Sequence, residues 1–143
     1  MNTQTIQKLL DVDSGKEHYE AGAVILWCFD ARFDPVLGVF LQTMPDSKFD
    51  IIKVAGGAKS LASPENESDR DFILRQIQAS IRLHNAKKVI LMAHQECGAY
   101  GGKNDRSFYE EELRRGKSVV EEAIGTEKEI ITLFVDFDGV YET

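Results

Sequence analysis

Five residues in this chain combine chemistry with spacing: Cys28, Asp30 and Arg32 in the run CFDARF, and His94 and Cys97 in the run HQECGAYGG. Cys28 closes one apolar stretch, GAVILWC, and His94 directly follows another, KKVILMA. With two residues between them in a turn, the His94 imidazole and the Cys97 thiol can converge on one point. Adding Cys28 gives two thiolates and an imidazole, a set that zinc accepts at about 2.3 Å to sulfur and about 2.0 Å to nitrogen. Three protein ligands leave a tetrahedral ion one open position, which is the arrangement of a catalytic site and not of a closed structural one. Asp30 could accept a hydrogen bond from water in that position, while Arg32 holds the carboxylate through two parallel bonds and keeps it ionised. Alternatively, Asp30 could swing onto the metal and close the site. The plainer reading of the two cysteines is a pair of buried small hydrophobes, since free Cys is commonly buried.

The elements that must position these residues are legible as alternating patterns. Four near-continuous apolar runs read as strands: 23–28, 50–55, 87–93 and 129–135. Their richness in Val, Ile and Leu suits strands covered on both faces. Between them a helix begins at DPVLGVFLQT, with Asp34 as cap and Pro35 at the first helical position. A second runs from Ser63-Pro64 to His84, with Phe72, Ile73, Ile77, Ile81 and His84 at helical spacing. A third starts near Asp105 or Ser107 and ends at Gly125. The stretch 56–68 is the most loop-like. The order β-α-β-α-β-α-β predicts one α/β domain over residues 1–143, an open, mostly parallel four-stranded sheet with helices on both faces. Ligands of such sheets sit beyond the carboxyl ends of the strands, where strand order reverses. With the first strand central, that point lies between the strand ending at Cys28 and the strand before His94.

Composition narrows the function classes. A formal net charge of -7, with Lys and Arg scattered along the chain, argues against nucleic acid as a partner. No apolar run approaches the roughly 18 residues of a membrane span. The opening residues MNTQTIQKLL lack the pattern of a secretory signal, so the expectation is a cytoplasmic protein, where a Cys28–Cys97 disulfide is disfavoured. Gly56-Gly57 and Gly101-Gly102 fit tight turns better than phosphate loops. His18 and His84 are candidate proton shuttles by residue type only, with surface or helix-end positions the plainer reading. Tyr100 could line the pocket, though a packed aromatic is the simpler expectation. The run YEEEL at 109–113 reads as a solvated helix face.

Together, CFDARF and HQECGA resemble the paired Cys-x-Asp-x-Arg and His-x-x-Cys-Gly signatures of the β-class carbonic anhydrases. VAGG at 54–57 sits where that family has its Ala-Gly-containing segment. The resemblance implies a zinc lyase that interconverts carbon dioxide and bicarbonate through a zinc-bound hydroxide. Cys28, His94 and Cys97 would be the ligands, and Asp30 and Arg32 the orienting pair. It further implies a substrate pocket at Gly56 and Gly98, the latter holding the turn beside the metal, and an active homodimer or larger homo-oligomer. Where the family often has serines beside the aspartate, this chain has Phe29 and Ala31. Its apolar Phe29 and Phe33 keep a second enzymatic reading open, hydrolysis of carbonyl sulfide or carbon disulfide at the same site. A non-catalytic zinc-binding or regulatory module, with Asp30 in the fourth position, is the alternative from outside enzymology.

Overall fold

The computed structural model describes residues 5–143; residues 1–4 of the expected domain and of the opening segment lie outside it. Three buried or half-buried parallel strands form its centre: β1 (Ala21–Trp27), β3 (Lys88–His94) and β4 (Glu129–Asp136). β1 and β3 are almost wholly buried, as their unbroken apolar runs require. β2 (Lys48–Lys53) pairs parallel with β1 at one edge and has no fully buried residue, as suits an edge strand. The sheet order is β2-β1-β3-β4-β5, where β5 is Gly139–Glu142. Strand order therefore reverses between β1 and β3, which run parallel with Val24 opposite Val89 and Leu26 opposite Leu91.

The fifth strand corrects the expected four. β5 (Gly139–Glu142) returns antiparallel on β4, with Asp136 opposite Gly139. Phe137 and Asp138 make the tight connection, and Gly139 after Asp138 carries the turn signal. The strand is only four residues long and exposed on alternate positions, so it leaves almost no apolar periodicity to read.

Helices fill the crossovers. α1 (Asp34–Gln42) joins β1 to β2, α2 (Lys59–Ala62) and α3 (Glu67–His84) join β2 to β3, and α4 (Arg106–Ile124) joins β3 to β4. Right-handed crossovers that step in opposite directions from β1 put α1 on one face and α3 and α4 on the other. The helix expected from Ser63 starts later, at Glu67, and the stretch 56–68 read as loop contains the short α2; Asn85 in the left-handed region stops α3. On α3 the buried face is Ile73, Ile77 and Ser80, while Phe72 is half exposed. Asp34 does not cap α1. A 3-10 turn at Ala31–Phe33 precedes the helix, and Asp30 caps that turn by accepting the Arg32 N–H at 3.0 Å. Asp34 pairs instead with Lys53 at 2.9 Å. Asp105 caps α4 by accepting from the Phe108 N–H, and Gly125 ends it. Among the described residues no helix is long and apolar enough to cross a membrane.

Candidate metal centre

The segment between β2 and α2 wedges across the ends of β1 and β3. Val54 N–H donates to the Trp27 carbonyl at 2.9 Å, and Ala58 N–H donates to the Met92 carbonyl at 3.2 Å. Gly57 lies between the two strands at φ +55°; a Cβ there would stand 2.6 Å from the Met92 carbonyl oxygen and 3.1 Å from the Cys28 nitrogen. No other residue type fits that approach. Gly56, at φ +81°, directs its N–H to Cys28 Sγ at 3.4 Å. Gly56, expected in the substrate pocket, thus stands beside the Cys28 sulfur through its backbone amide. Gly98 differs, because a Cβ there would meet nothing within 4 Å and its φ is not positive. The turn beside the site does not need a glycine at 98.

Cys28, His94 and Cys97 are each buried, and one donor atom from each lies within 4.8 Å of the others. His94 Nδ1 is 2.9 Å from the Gln95 carbonyl oxygen, which can only accept, so Nδ1 carries the proton and Nε2 the lone pair. Nε2 is buried without a hydrogen-bond partner. A buried polar nitrogen left unpaired is costly; beside two sulfurs, this donor set suits zinc. The imidazole is held by rings, with Phe33 at 4.5 Å and Trp27 edge-on at 5.6 Å between centroids. A hydrogen bond with Cys97 pulls the Cys28 thiol well below its ordinary range against the opposing cost of burial, with the Gly56 amide adding to the effect. The same bond, with burial, pushes the Cys97 thiol up.

Asp30 and Arg32 form the fork the spacing suggested. Arg32 Nη2 reaches Asp30 Oδ2 at 2.7 Å, and Nε lies 3.2 and 3.1 Å from Oδ1 and Oδ2. The guanidinium holds the Asp30 carboxyl down to about 2 despite some desolvation. Arg32 also donates to the Glu96 carbonyl at 3.1 Å, which ties the loop after β1 to the turn after β3. Asp30 Oδ2 lies 3.8 Å from His94 Nε2, yet Asp30 is not part of the converging triad. Its carboxylate is turned to the arginine, beside the site. Phe29 is largely exposed and Phe33 is buried against His94, so the two phenylalanines do different things.

The remaining candidates lie elsewhere. His84 Nδ1 is 2.7 Å from Asp50, which also accepts from Ser80 and Tyr19, and His18 stands beside the His84 ring. His18 precedes β1 and His84 ends α3 just ahead of β3, so both histidines gather at the end of the sheet where these strands begin, opposite the triad. Tyr100 is a packed aromatic against Phe108 and Tyr109, with its hydroxyl on Glu112 at 2.8 Å. The acidic run is not simply solvated: Tyr109, Glu112 and Leu113 are buried.

A model of the family described as "Putative carbonic anhydrase" matches residues 19–143. The chain belongs to this family, as a divergent member of the β-carbonic anhydrase family. Two uncharacterized proteins from Rickettsia are similar to this family member. That of Rickettsia bellii is 25% identical over 151 residues, spanning 95% of this chain and 92% of the relative. That of Rickettsia conorii is likewise 25% identical, spanning 95% and 81%. Among solved structures, the carbonic anhydrase of Streptococcus mutans superposes with a TM-score of 0.66 at 18% identity, covering 91% of this chain and 87% of that one. The β-carbonic anhydrase isoform I of Trichomonas vaginalis gives 0.58 at 15% identity, covering 92% and 87%. These likenesses establish the family's α/β fold with its mostly parallel sheet.

Tyr109, Glu112, Trp27 and Gln95 surround the centre without having been singled out from sequence. The helical repeat Tyr109, Leu113, Gly116, Val120 offered a signal for Tyr109. Nothing local marks Glu112 as the buried member of three consecutive glutamates.

Proposed function

We propose that this chain is a zinc-dependent lyase interconverting carbon dioxide and bicarbonate, with Cys28, His94 and Cys97 as ligands. The observation that carries the reading is the buried, unpaired Nε2 of His94 facing two buried sulfurs. Bound zinc would supply Lewis acidity that activates water for attack on the carbon of carbon dioxide. The chain's own residues do the rest. The Gln95 carbonyl fixes the His94 tautomer, and Phe33 and Trp27 hold the ring and exclude solvent from its faces. Asp30, kept ionised by Arg32, offers a carboxylate oxygen that accepts a proton or orients a donor beside His94. A small substrate would bind beside Gly56, whose amide faces Cys28 Sγ, and the exposed Gly98 that follows Cys97.

Zinc content and stopped-flow carbon dioxide hydration measured on one sample test this. The expected outcome is one zinc per chain and activity that Cys97→Ala removes together with the metal. A fully loaded but inert chain, from mildly acidic to mildly alkaline pH, would instead favour the non-catalytic module closed by Asp30; the Asp30–Arg32 fork argues against that closure. The exposed Phe29 beside Cys28 favours a second reading, hydrolysis of carbonyl sulfide or carbon disulfide, which sulfide release distinguishes. Exposed apolar side chains at Ile6, Leu9, Leu10 and Val12 support a homo-oligomer, checked by light scattering.

A further inference from the structure

The turn that carries Cys97 is closed by its own backbone and by one side chain. The Cys97 carbonyl accepts from the N–H groups of Tyr100 at 3.0 Å and Gly102 at 2.9 Å, and Glu96 N–H donates to the Lys103 carbonyl at 3.1 Å. Cys97 and Lys103 also form an antiparallel bridge, and the Cys97 N–H has a side-chain partner besides. It donates at 3.2 Å to the hydroxyl of Tyr109, which itself donates to the Lys103 carbonyl at 2.7 Å. One phenol oxygen therefore bridges both ends of the turn.

Tyr109 has little freedom to do otherwise. It is fully buried in the first turns of α4, with Tyr100 edge-on at 5.4 Å, Phe108 at 5.4 Å and Phe134 stacked at 5.7 Å. Asp105 anchors the start of that helix through the Phe108 N–H. A phenylalanine would fill the same apolar space, so packing alone does not explain the hydroxyl. The two hydrogen bonds do, because without them the buried Cys97 amide loses its side-chain partner and the Lys103 carbonyl loses one of its two donors.

We infer that Tyr109 is a positioning residue for the metal turn, holding the Cys97 amide so that its sulfur meets Cys28 and His94 before any metal arrives. The inference rests on the zinc reading above and adds the residue that prepares the ligand. Partners one step outside a ligand typically affect metal affinity by about 10- to 100-fold.

The test is zinc affinity by competition with a chromophoric chelator, together with the thiolate-to-cobalt charge-transfer band of the cobalt-loaded chain. Tyr109→Phe is expected to weaken zinc by about 10-fold and to shift that band, with one site per chain retained. Ser80→Ala removes a hydrogen bond to Asp50 at the far end of the sheet and should leave both readouts unchanged. Zinc affinity of Tyr109→Phe within twofold of the unsubstituted chain, with an unshifted band, overturns the inference and leaves the zinc reading intact. An unsubstituted chain that binds no zinc overturns both. Should Tyr109→Phe fail to fold, amide exchange in the unsubstituted, metal-free chain decides. The Cys97 N–H is expected to exchange at least about 100-fold more slowly than in an unstructured peptide, and exchange at the peptide rate overturns the inference.

Discussion

Gly57 and Gly98 make opposite demands on their surroundings, although both flank the triad. A methyl group at 57 would enter the Met92 carbonyl in a left-handed backbone, whereas one at 98 would meet open space. Gly57→Ala is expected to destabilise by about 3 kcal/mol or more, the sum of overpacking and backbone strain. Gly98→Ala should stay within about 0.5 kcal/mol. Urea unfolding of the two variants checks both. Glu96, between His94 and Cys97, is a non-glycine residue at φ +55°. There a β-branched side chain is most strained, so Glu96→Val should cost about 1–2 kcal/mol while Glu96→Gly is neutral or better. The residues of the centre were legible because thiols, an imidazole and a fork-forming acid and base announce themselves by type. Gly57, Glu96 and Tyr109 were not, since their roles lie in where backbone from another segment passes.

Among the elements, α4 reaches the site's neighbourhood through one face that carries both Tyr109 and Glu112. Glu112 accepts from the hydroxyls of Ser63 and Tyr100, linking the end of α2 to the metal turn. Burial and this carboxylate push the Tyr100 phenol well above its usual range. Glu112→Ala strands two hydroxyls and is expected to cost about 2–3 kcal/mol in thermal or urea unfolding, with Glu112→Gln recovering part of it. The three central strands could be read from sequence because strands buried on both faces are continuously apolar, and the helices between them because their apolar positions recur. α1 starts at Asp34 as its Asp-Pro predicts, but Asp34 is not its cap, because the capping carboxylate belongs to the 3-10 turn before it, where Asp30 both caps and pairs with Arg32. β5 escaped because pairing on β4, not its own composition, makes it a strand.

For the whole molecule, polar stability sits at both ends of the sheet. At the end remote from the triad, Asp50 gathers Tyr19, Ser80 and His84, joining the segment before β1 to β2 and α3. Burial opposes ionisation there, yet the three donors together bring the Asp50 carboxyl below its usual range. The native state thus binds fewer protons here than the unfolded chain, so the stabilisation is complete above about pH 4 and fades as pH falls below it. Asp50→Asn should flatten that acid limb in a stability-against-pH series while leaving zinc content unchanged. At the other end, the segment Val54 to Ala58 is hydrogen-bonded to Trp27 of β1 and Met92 of β3. Neither strand alone completes its seat. During synthesis Cys28 leaves the ribosome well before His94 and Cys97, and that segment must wait for β3 before it can settle. The triad and the wedge beneath it are finished in the same event, so on the zinc proposal metal would load only onto the late, nearly complete chain, and a nascent chain halted before β3 would have no cage to fill.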